Sequence, residues 1–257
     1  MTFPEFIQTI LATKLWLKNA NDHPYFPEIC RNLSLEINNY YELSHVEPSY
    51  HSRKHFIDVC LAVHLLLLKN EFITETEQSS WYLSPIQSWH LLISAMAHDF
   101  GHNGLMNQSI HQQELLSIQG LNAFLDTQIF PGKDICQEVT TAIILATDPK
   151  DRAQLMNRIH SNSAVRSFDQ LSMLMVEADL FASTLPKKGV ELGNLLSEEI
   201  SSQDPQLSEF IKSPKGRLGF LNSVQFLSPQ SHILGAPQIL KEAISMTQHH
   251  IKETHGN

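Results

Sequence analysis

The sequence predicts an all-α fold, and three observations carry that prediction. Apolar residues recur at helical spacing along most of the 257-residue chain. No alternating strand pattern of useful length and no internal repeat interrupts them. Start and stop signals stand where helices need them, Ser84-Pro85 being the clearest, with serine as cap and proline in the first turn. At ordinary helix lengths the chain has room for about ten to fourteen helices. The expected architecture is a compact multi-helix domain over residues 1–257.

Taken in order, Phe3 to Asn19 reads as one helix, with Phe6, Ile7, Ile10, Leu11, Leu15 and Leu17 as its apolar stripe. A loop broken by Pro24 follows. Pro27 opens a second helix to about Leu43, with Ile29, Leu33, Ile37 and Tyr40/Tyr41 inward, and Pro48 resets the chain. Tyr50 to Val59 leads into an apolar helix through Leu68. Segment 70–82, with Thr74, Glu75, Thr76, Glu77 and Gln78, is polar and reads as a loop. Ile86 to Ala97 is an apolar helical body that runs into His98-Asp99. Further helices are expected over Ser109–Leu125, Lys133–Ala146, Ser163–Leu185, Val190–Ile200, Arg217–Leu227 and Ala236–Ile251. Ser201–Ser213 between two of them is polar.

Composition excludes several classes. Lys plus Arg is 18 and Asp plus Glu 27, so the formal charge is 18 − 27 = −9. An acidic chain without basic clusters argues against nucleic acid and membrane surfaces as partners. An anionic substrate then needs a local correction, and bound cations supply one. Three widely spaced cysteines, Cys30, Cys60 and Cys136, form no C-x-x-C pair. They point to a reducing, cytoplasmic setting rather than to disulfides or a thiolate zinc site. No apolar run is long enough for a membrane span, and the first ten residues carry no secretory signature.

The chemistry gathers around Ala95-Met-Ala-His98-Asp99-Phe-Gly101-His102-Asn-Gly104-Leu-Met-Asn107. Adjacent histidine and aspartate offer a metal one nitrogen and one oxygen. His98 and His102 share a face if the segment is helical, while Gly101 and Gly104 suggest tight backbone or a helix end. His51 and His55 are likewise four apart. Asp179 lies among Met175, Val176, Ala178, Leu180 and Phe181, where a carboxylate is costly to bury without a partner. His55, His98, Asp99 and Asp179 are therefore the candidate ligands. Two imidazoles and two carboxylates suit zinc, iron, manganese or magnesium.

The order H…HD…D, with its flanking residues, resembles the catalytic domain of the class I 3′,5′-cyclic nucleotide phosphodiesterases, within the wider HD-domain phosphohydrolases. Tyr50-His51-Ser52-Arg53-Lys54-His55-Phe56-Ile57-Asp58-Val59 resembles the family's Y-H-N-x-x-H-x-x-D-V, and His98 to Asn107 its H-D-x-x-H-x-G-x-x-N. Ile144 to Asp148 resembles I-L-A-T-D, Ala178-Asp179 the later A-D, and Gly219-Phe220 with Pro229 the nucleotide-pocket segment G-F…P. These landmarks run in order over residues 50–229.

The resemblance implies hydrolysis of a 3′,5′-cyclic nucleotide, such as cAMP or cGMP, to the 5′-monophosphate. It implies that His55, His98, Asp99 and Asp179 bind a tighter metal, usually zinc, and that Asp99 bridges to a second, usually magnesium. His102 would hold a water of that second metal. A hydroxide bridging the metals would attack phosphorus, and His51 would be the general acid, its charge supported by an acidic neighbour that the sequence does not identify. Phe220 would stack on the base, and Tyr50 and Arg217 would line the same substrate site.

Departures are informative. Asn103 replaces the family's usual proline and Ser52 its asparagine. The segment carrying Y-N-D and S-V-L-E is not recognisable, with Glu114 the nearest stand-in for its glutamate. Arg217, in Gly216-Arg217-Leu218-Gly219-Phe220, occupies the place of the glutamine that reads the purine edge; arginine donates only. Two other readings compete: a different HD-domain nucleotide phosphohydrolase, and a non-catalytic nucleotide sensor on the same fold. His51 before His55, with Gly219-Phe220, favours the phosphodiesterase.

Overall fold

The computed structural model describes residues 1–73, 79–161 and 168–255, and among these residues it contains fourteen α-helices, two short 3-10 turns and no strand. The first three helices are α1 (Phe3–Leu11), α2 (Lys14–Asp22) and α3 (Phe26–Ser44). A capping box holds the start of α1, with the Thr2 and Glu5 side chains each taking the other's backbone N–H. The single helix expected over Phe3–Asn19 is two. Thr13 turns the chain in extended backbone, and its N–H and hydroxyl both donate to the Ile10 carbonyl. The turn rotates the apolar stripe, so that Trp16 is fully buried and Leu17 is exposed. The Trp16 indole then lies 4.7 Å from that of Trp89 and donates to His64 Nδ1 at 3.1 Å.

Next come α4 (Arg53–Leu67), α5 (Pro85–Ala97), α6 (Gln112–Asp126), α7 (Lys133–Leu145), α8 (Pro149–Ser161) and α9 (Asp169–Thr184). α5 starts as expected, with Ser84 and Gln87 forming a capping box around Pro85. Almost the whole surface of α5 is buried, from Ser88 to Ala97. A helix apolar all round belongs in the centre of a bundle, and α4 and α9 enclose it there, α4 lying against both. Phe56, Val59, Leu91, Leu92, Met96, Leu174 and Met175 form one continuous core with α1 and α3.

The remaining helices are α10 (Lys188–Ile200), α11 (Pro205–Lys212), α12 (Pro214–Ser223), α13 (Pro229–Leu234) and α14 (Ala236–His255). α8, α11 and α13 are not evident from apolar periodicity. Each starts at proline after a capping side chain: Asp148 accepts from the Lys150 N–H, Asp204 from that of Leu207 and Ser228 from that of Ser231. The helix expected at Arg217–Leu227 starts earlier, at Pro214, and stops at Ser223. The one expected from Ser163 begins at Asp169; residues 162–167, like the polar stretch 74–78, lie outside the described residues. None of the described helices is long and apolar enough to cross a membrane.

Candidate active site

Three elements of the core deliver the four candidate ligands. His55 projects from the first turn of α4, His98 and Asp99 follow the last residue of α5, and Asp179 lies on α9. His55 Nε2 and His98 Nε2 face each other at 3.2 Å. Asp99 Oδ2 lies 3.4 and 3.0 Å from these two nitrogens, and Asp179 Oδ1 3.1 and 3.6 Å. Ligands roughly 2.1 Å from one cation stand roughly 3.0–3.4 Å apart, so the spacing fits a shared metal. The His98 ring is also set for one: its Nδ1 lies 3.0 Å from the Ala95 carbonyl, and donation there leaves the Nε2 lone pair facing the cluster.

Both imidazoles are buried. Burial acts to lower their pKa values, but the Asp179 and Asp99 carboxylates outweigh it, carrying His55 up to about 9 and His98 well above its ordinary value. Burial likewise acts to raise Asp99 and Asp179, but the histidines hold both well below the usual carboxylate range. The cluster thus holds positive charge between two carboxylates, and a divalent cation competes for that place.

α5 ends before His98, so His98 and His102 do not share a helix face. Instead the His102 N–H donates to the Asp99 carbonyl, and Gly101 and Gly104 take left-handed backbone at φ 81° and 75°. This turn lays the His102 ring on that of His51, their centroids 3.8 Å apart. The Gly104 N–H donates to His102 Nδ1, which puts the ring proton on Nε2. Burial pushes His102 down to about 4, with the neighbouring His51 adding to the effect.

The acidic partner of His51 is Glu199, on α10. Its Oε1 lies 2.5 Å from His51 Nδ1, while Oε2 accepts the backbone N–H groups of Tyr50 and His51 at 2.7 and 3.1 Å. Burial acts to raise this carboxyl, but the His51 contact and the two N–H donors bring it below its ordinary value. Glu199 shares the stripe of Leu192, Leu196 and Ile200 at helical spacing; that shared face is the sequence signal for it.

Two cavities meet at Tyr50 and Leu196. The larger, about 420 Å³, holds His51, His98, Asp99, His102 and Asp179, together with Asn107, Glu114, Thr147 and Asp148. Asn107 joins its two further carboxylates, donating to Glu114 at 3.0 Å and Asp148 at 3.4 Å. Burial raises the Glu114 carboxyl, and the charges of Asp148 and Asp99 add to that. The smaller cavity, about 250 Å³, is walled by Val190, Leu192, Leu196, Ile211 and Phe220, and Tyr50 and Arg217 border it. The Tyr50 hydroxyl is 3.3 Å from Ser183 Oγ. Arg217 donates to the Ser183 and Leu185 carbonyls at the end of α9 at 2.9 and 3.0 Å, the second of which also accepts the Gly189 N–H. All nine side chains singled out in the sequence thus border one of two adjoining cavities or, for His55, the ligand cluster beside them.

The model of the 3′5′-cyclic nucleotide phosphodiesterase family matches residues 50–119, the segment with His51, His55, His98, Asp99 and His102. The fold is similar to that of a Leishmania phosphodiesterase, LmjPDEB1, solved in complex with IBMX. The likeness has a TM-score of 0.66 and 14% identity, and covers 97% of this chain and 98% of that one. A comparison with curated proteins gives no match. The family match is confined to the segment around the His98–His102 turn, and the structural likeness is one of the all-α fold. Among the described residues, His55, His98 and Asp99 bring their ligand atoms close enough together to hold a metal ion.

Proposed function

We propose that this domain opens 3′,5′-cyclic nucleotides to 5′-monophosphates with two divalent cations, zinc at His55, His98, Asp99 and Asp179 and magnesium beside Asp99. Manganese or iron suits the same donors. The observation that carries the reading is the His51–Glu199 pair standing against a converged cluster of two imidazoles and two carboxylates. When bound, the cations neutralise the phosphate and provide an activated water at neutral pH.

The chain's own residues do the rest. Glu199 accepts the Nδ1 proton of His51 and so stabilises the imidazolium, leaving Nε2–H to be given to the 3′ oxygen as its bond to phosphorus breaks. The two backbone N–H groups on Glu199 fix this carboxylate, and therefore the ring. His102, neutral and with its proton on Nε2, is a donor beside the site and adds no charge to repel a cation. Asp148, Glu114 and Asn107 supply acceptors for the water shell of the second cation. Phe220 and the apolar walls of the smaller cavity take the base, with Tyr50 and Arg217 at its edge.

The test is a hydrolysis screen of purified protein on cyclic mononucleotides, cyclic dinucleotides and simple phosphodiesters, with added zinc, manganese or magnesium. The expected result is metal-dependent release of 5′-monophosphate from a cyclic mononucleotide. Metal binding without turnover of any substrate would leave a nucleotide sensor instead.

A further inference from the structure

The turn after His98-Asp99 is held by hydrogen bonds rather than by burial. Leu105 and Met106 are exposed, and Asn103 leaves φ free where a proline would fix it. Side chains answer the backbone groups of this turn. The Gly104 N–H donates to His102 Nδ1 and the Leu105 N–H to Asn103 Oδ1, both at 3.0 Å. Gln113, on α6, donates to the Leu105 carbonyl at 3.0 Å. Gln203, in the turn that follows α10, takes two further groups. Its Nε2 donates to the Gly104 carbonyl and its Oε1 accepts the Met106 N–H, both at 2.8 Å. A primary amide carries the donor and acceptor pair of a peptide bond, so Gln203 stands in for a paired strand. Glu199, one helical turn earlier, fixes the His51 ring through Nδ1. The end of α10 thus grips both members of the His51–His102 stack, one through Glu199 and the other through Gln203 and Gly104.

Building on the phosphodiesterase reading above, we propose that Gln203 is a positioning residue for the hydrolysis. It holds the Gly104 carbonyl and the Met106 N–H against α10, and so keeps His102 on His51 and the Asn107 amide between Glu114 and Asp148. The path is short: Gln203 bonds the carbonyl of Gly104, and the N–H of the same glycine bonds His102 Nδ1. Gly104, at φ 75°, is the joint between them, and a glycine released at its carbonyl has other conformations open to it. Asn107 follows Met106 directly in the chain. Gln203 itself lines neither cavity, so its effect passes through the turn and leaves the base site alone.

The experiment uses Gln203→Met, which keeps the length and removes both donor and acceptor. Two quantities are measured on the metal-loaded protein: kcat and KM for the cyclic mononucleotide it hydrolyses, and amide hydrogen exchange at Gly104 and Met106. In Gln203→Met, kcat should fall about tenfold or more while KM stays within about twofold. The Gly104 and Met106 amides should both exchange faster. Gln203 makes no bond to the Gly104 N–H, so faster exchange there reports the loss of its bond to His102. Gln203→Glu keeps an acceptor for Met106 but sets an oxygen against the Gly104 carbonyl. It should restore protection at Met106 alone and leave kcat low, and it carries the test if Gln203→Met does not fold. An unchanged kcat or an unchanged Gly104 exchange would overturn the proposal. So would a fall in rate that appears in KM or that tracks a lowered Tm. If wild type turns over no substrate, the hydrolytic reading falls and exchange decides: faster Gly104 exchange in the variant supports the positioning of His102, and unchanged exchange ends it.

Discussion

His51 and Asp179 make separable demands on the site. The His51 Nδ1 is committed to Glu199, whereas Asp179 Oδ1 lies against the imidazoles of both His55 and His98. His51→Ala should therefore keep its metal and lose turnover, by about 10²–10⁴-fold for a missing general acid. Asp179→Ala should lose the metal as well, because the two imidazoles are left with Asp99 as their one carboxylate. Elemental analysis of the purified variants beside a rate assay checks both, and equal metal loss in the two would show that His51 is a ligand. Glu199→Gln should resemble His51→Ala in retaining metal, with a smaller fall in kcat, since an amide still accepts the Nδ1 proton but stabilises the imidazolium less. The candidate ligand histidines and His51 are legible in the sequence because they stand in short motifs that only local structure has to honour. Glu199 is legible only as an inward residue on the stripe of α10; its pairing with His51 is not, because that partner lies 148 residues away.

α9 carries two carboxylates two residues apart, and helical geometry sends them to different sides. Asp179 faces His55 and His98. Glu177 turns to the segment before α13 and collects four donors there: the N–H groups of Leu227 and Ser228, at 2.5 and 2.8 Å, and the hydroxyls of Ser228 and Ser231. Burial raises the Glu177 carboxyl, and the four hydrogen bonds oppose that rise. Glu177→Leu leaves those donors facing an apolar side chain and should cost about 3 kcal/mol or more. Glu177→Gln should cost only about 1 kcal/mol, because its oxygen serves the two N–H groups and the serine hydroxyls can rotate to accept from its amide. Denaturant unfolding of the pair measures this, and similar losses in both would mean that the charge, not the acceptor pattern, matters. The same stretch shows why helices were unequally legible. A capping side chain followed by proline opens α5, α8, α11, α12 and α13. Only α5 also has an unbroken apolar body. α8 buries Leu155 alone, so periodicity hides it although its start is written as plainly.

For the molecule as a whole, the all-α architecture follows from patterns every long helix repeats, while the split at Thr13 depends on where Trp16 can be buried against Trp89 and His64. That aromatic core also sets a pH limit on stability. His90, on α5 and 4% exposed, is pushed by burial down to about 4, with the charge of His23 adding to the effect. In the unfolded chain it takes its proton near 6.5. Between these values the unfolded state binds more protons, so stability rises with pH there. The contribution, about 3 kcal/mol, is fully present above 6.5 and is lost as pH falls toward 4. His90→Gln should flatten unfolding free energy against pH across that window relative to wild type, and an unchanged slope would place the acid sensitivity elsewhere. The metal cluster should act in the opposite sense on heating, by adding stability where it is loaded. It joins α4, the end of α5 and α9, the helices around which the core is built. A cation bound only by the folded chain adds about 4 kcal/mol at a thousand times its dissociation constant. Chelation should therefore lower the wild-type Tm by several degrees, about 2–4 °C for each kcal/mol in a chain of this size. Asp179→Ala, with no metal to surrender, should melt at the same temperature with or without chelator. A chelator effect as large in Asp179→Ala as in wild type would move the stabilising cation to a different site.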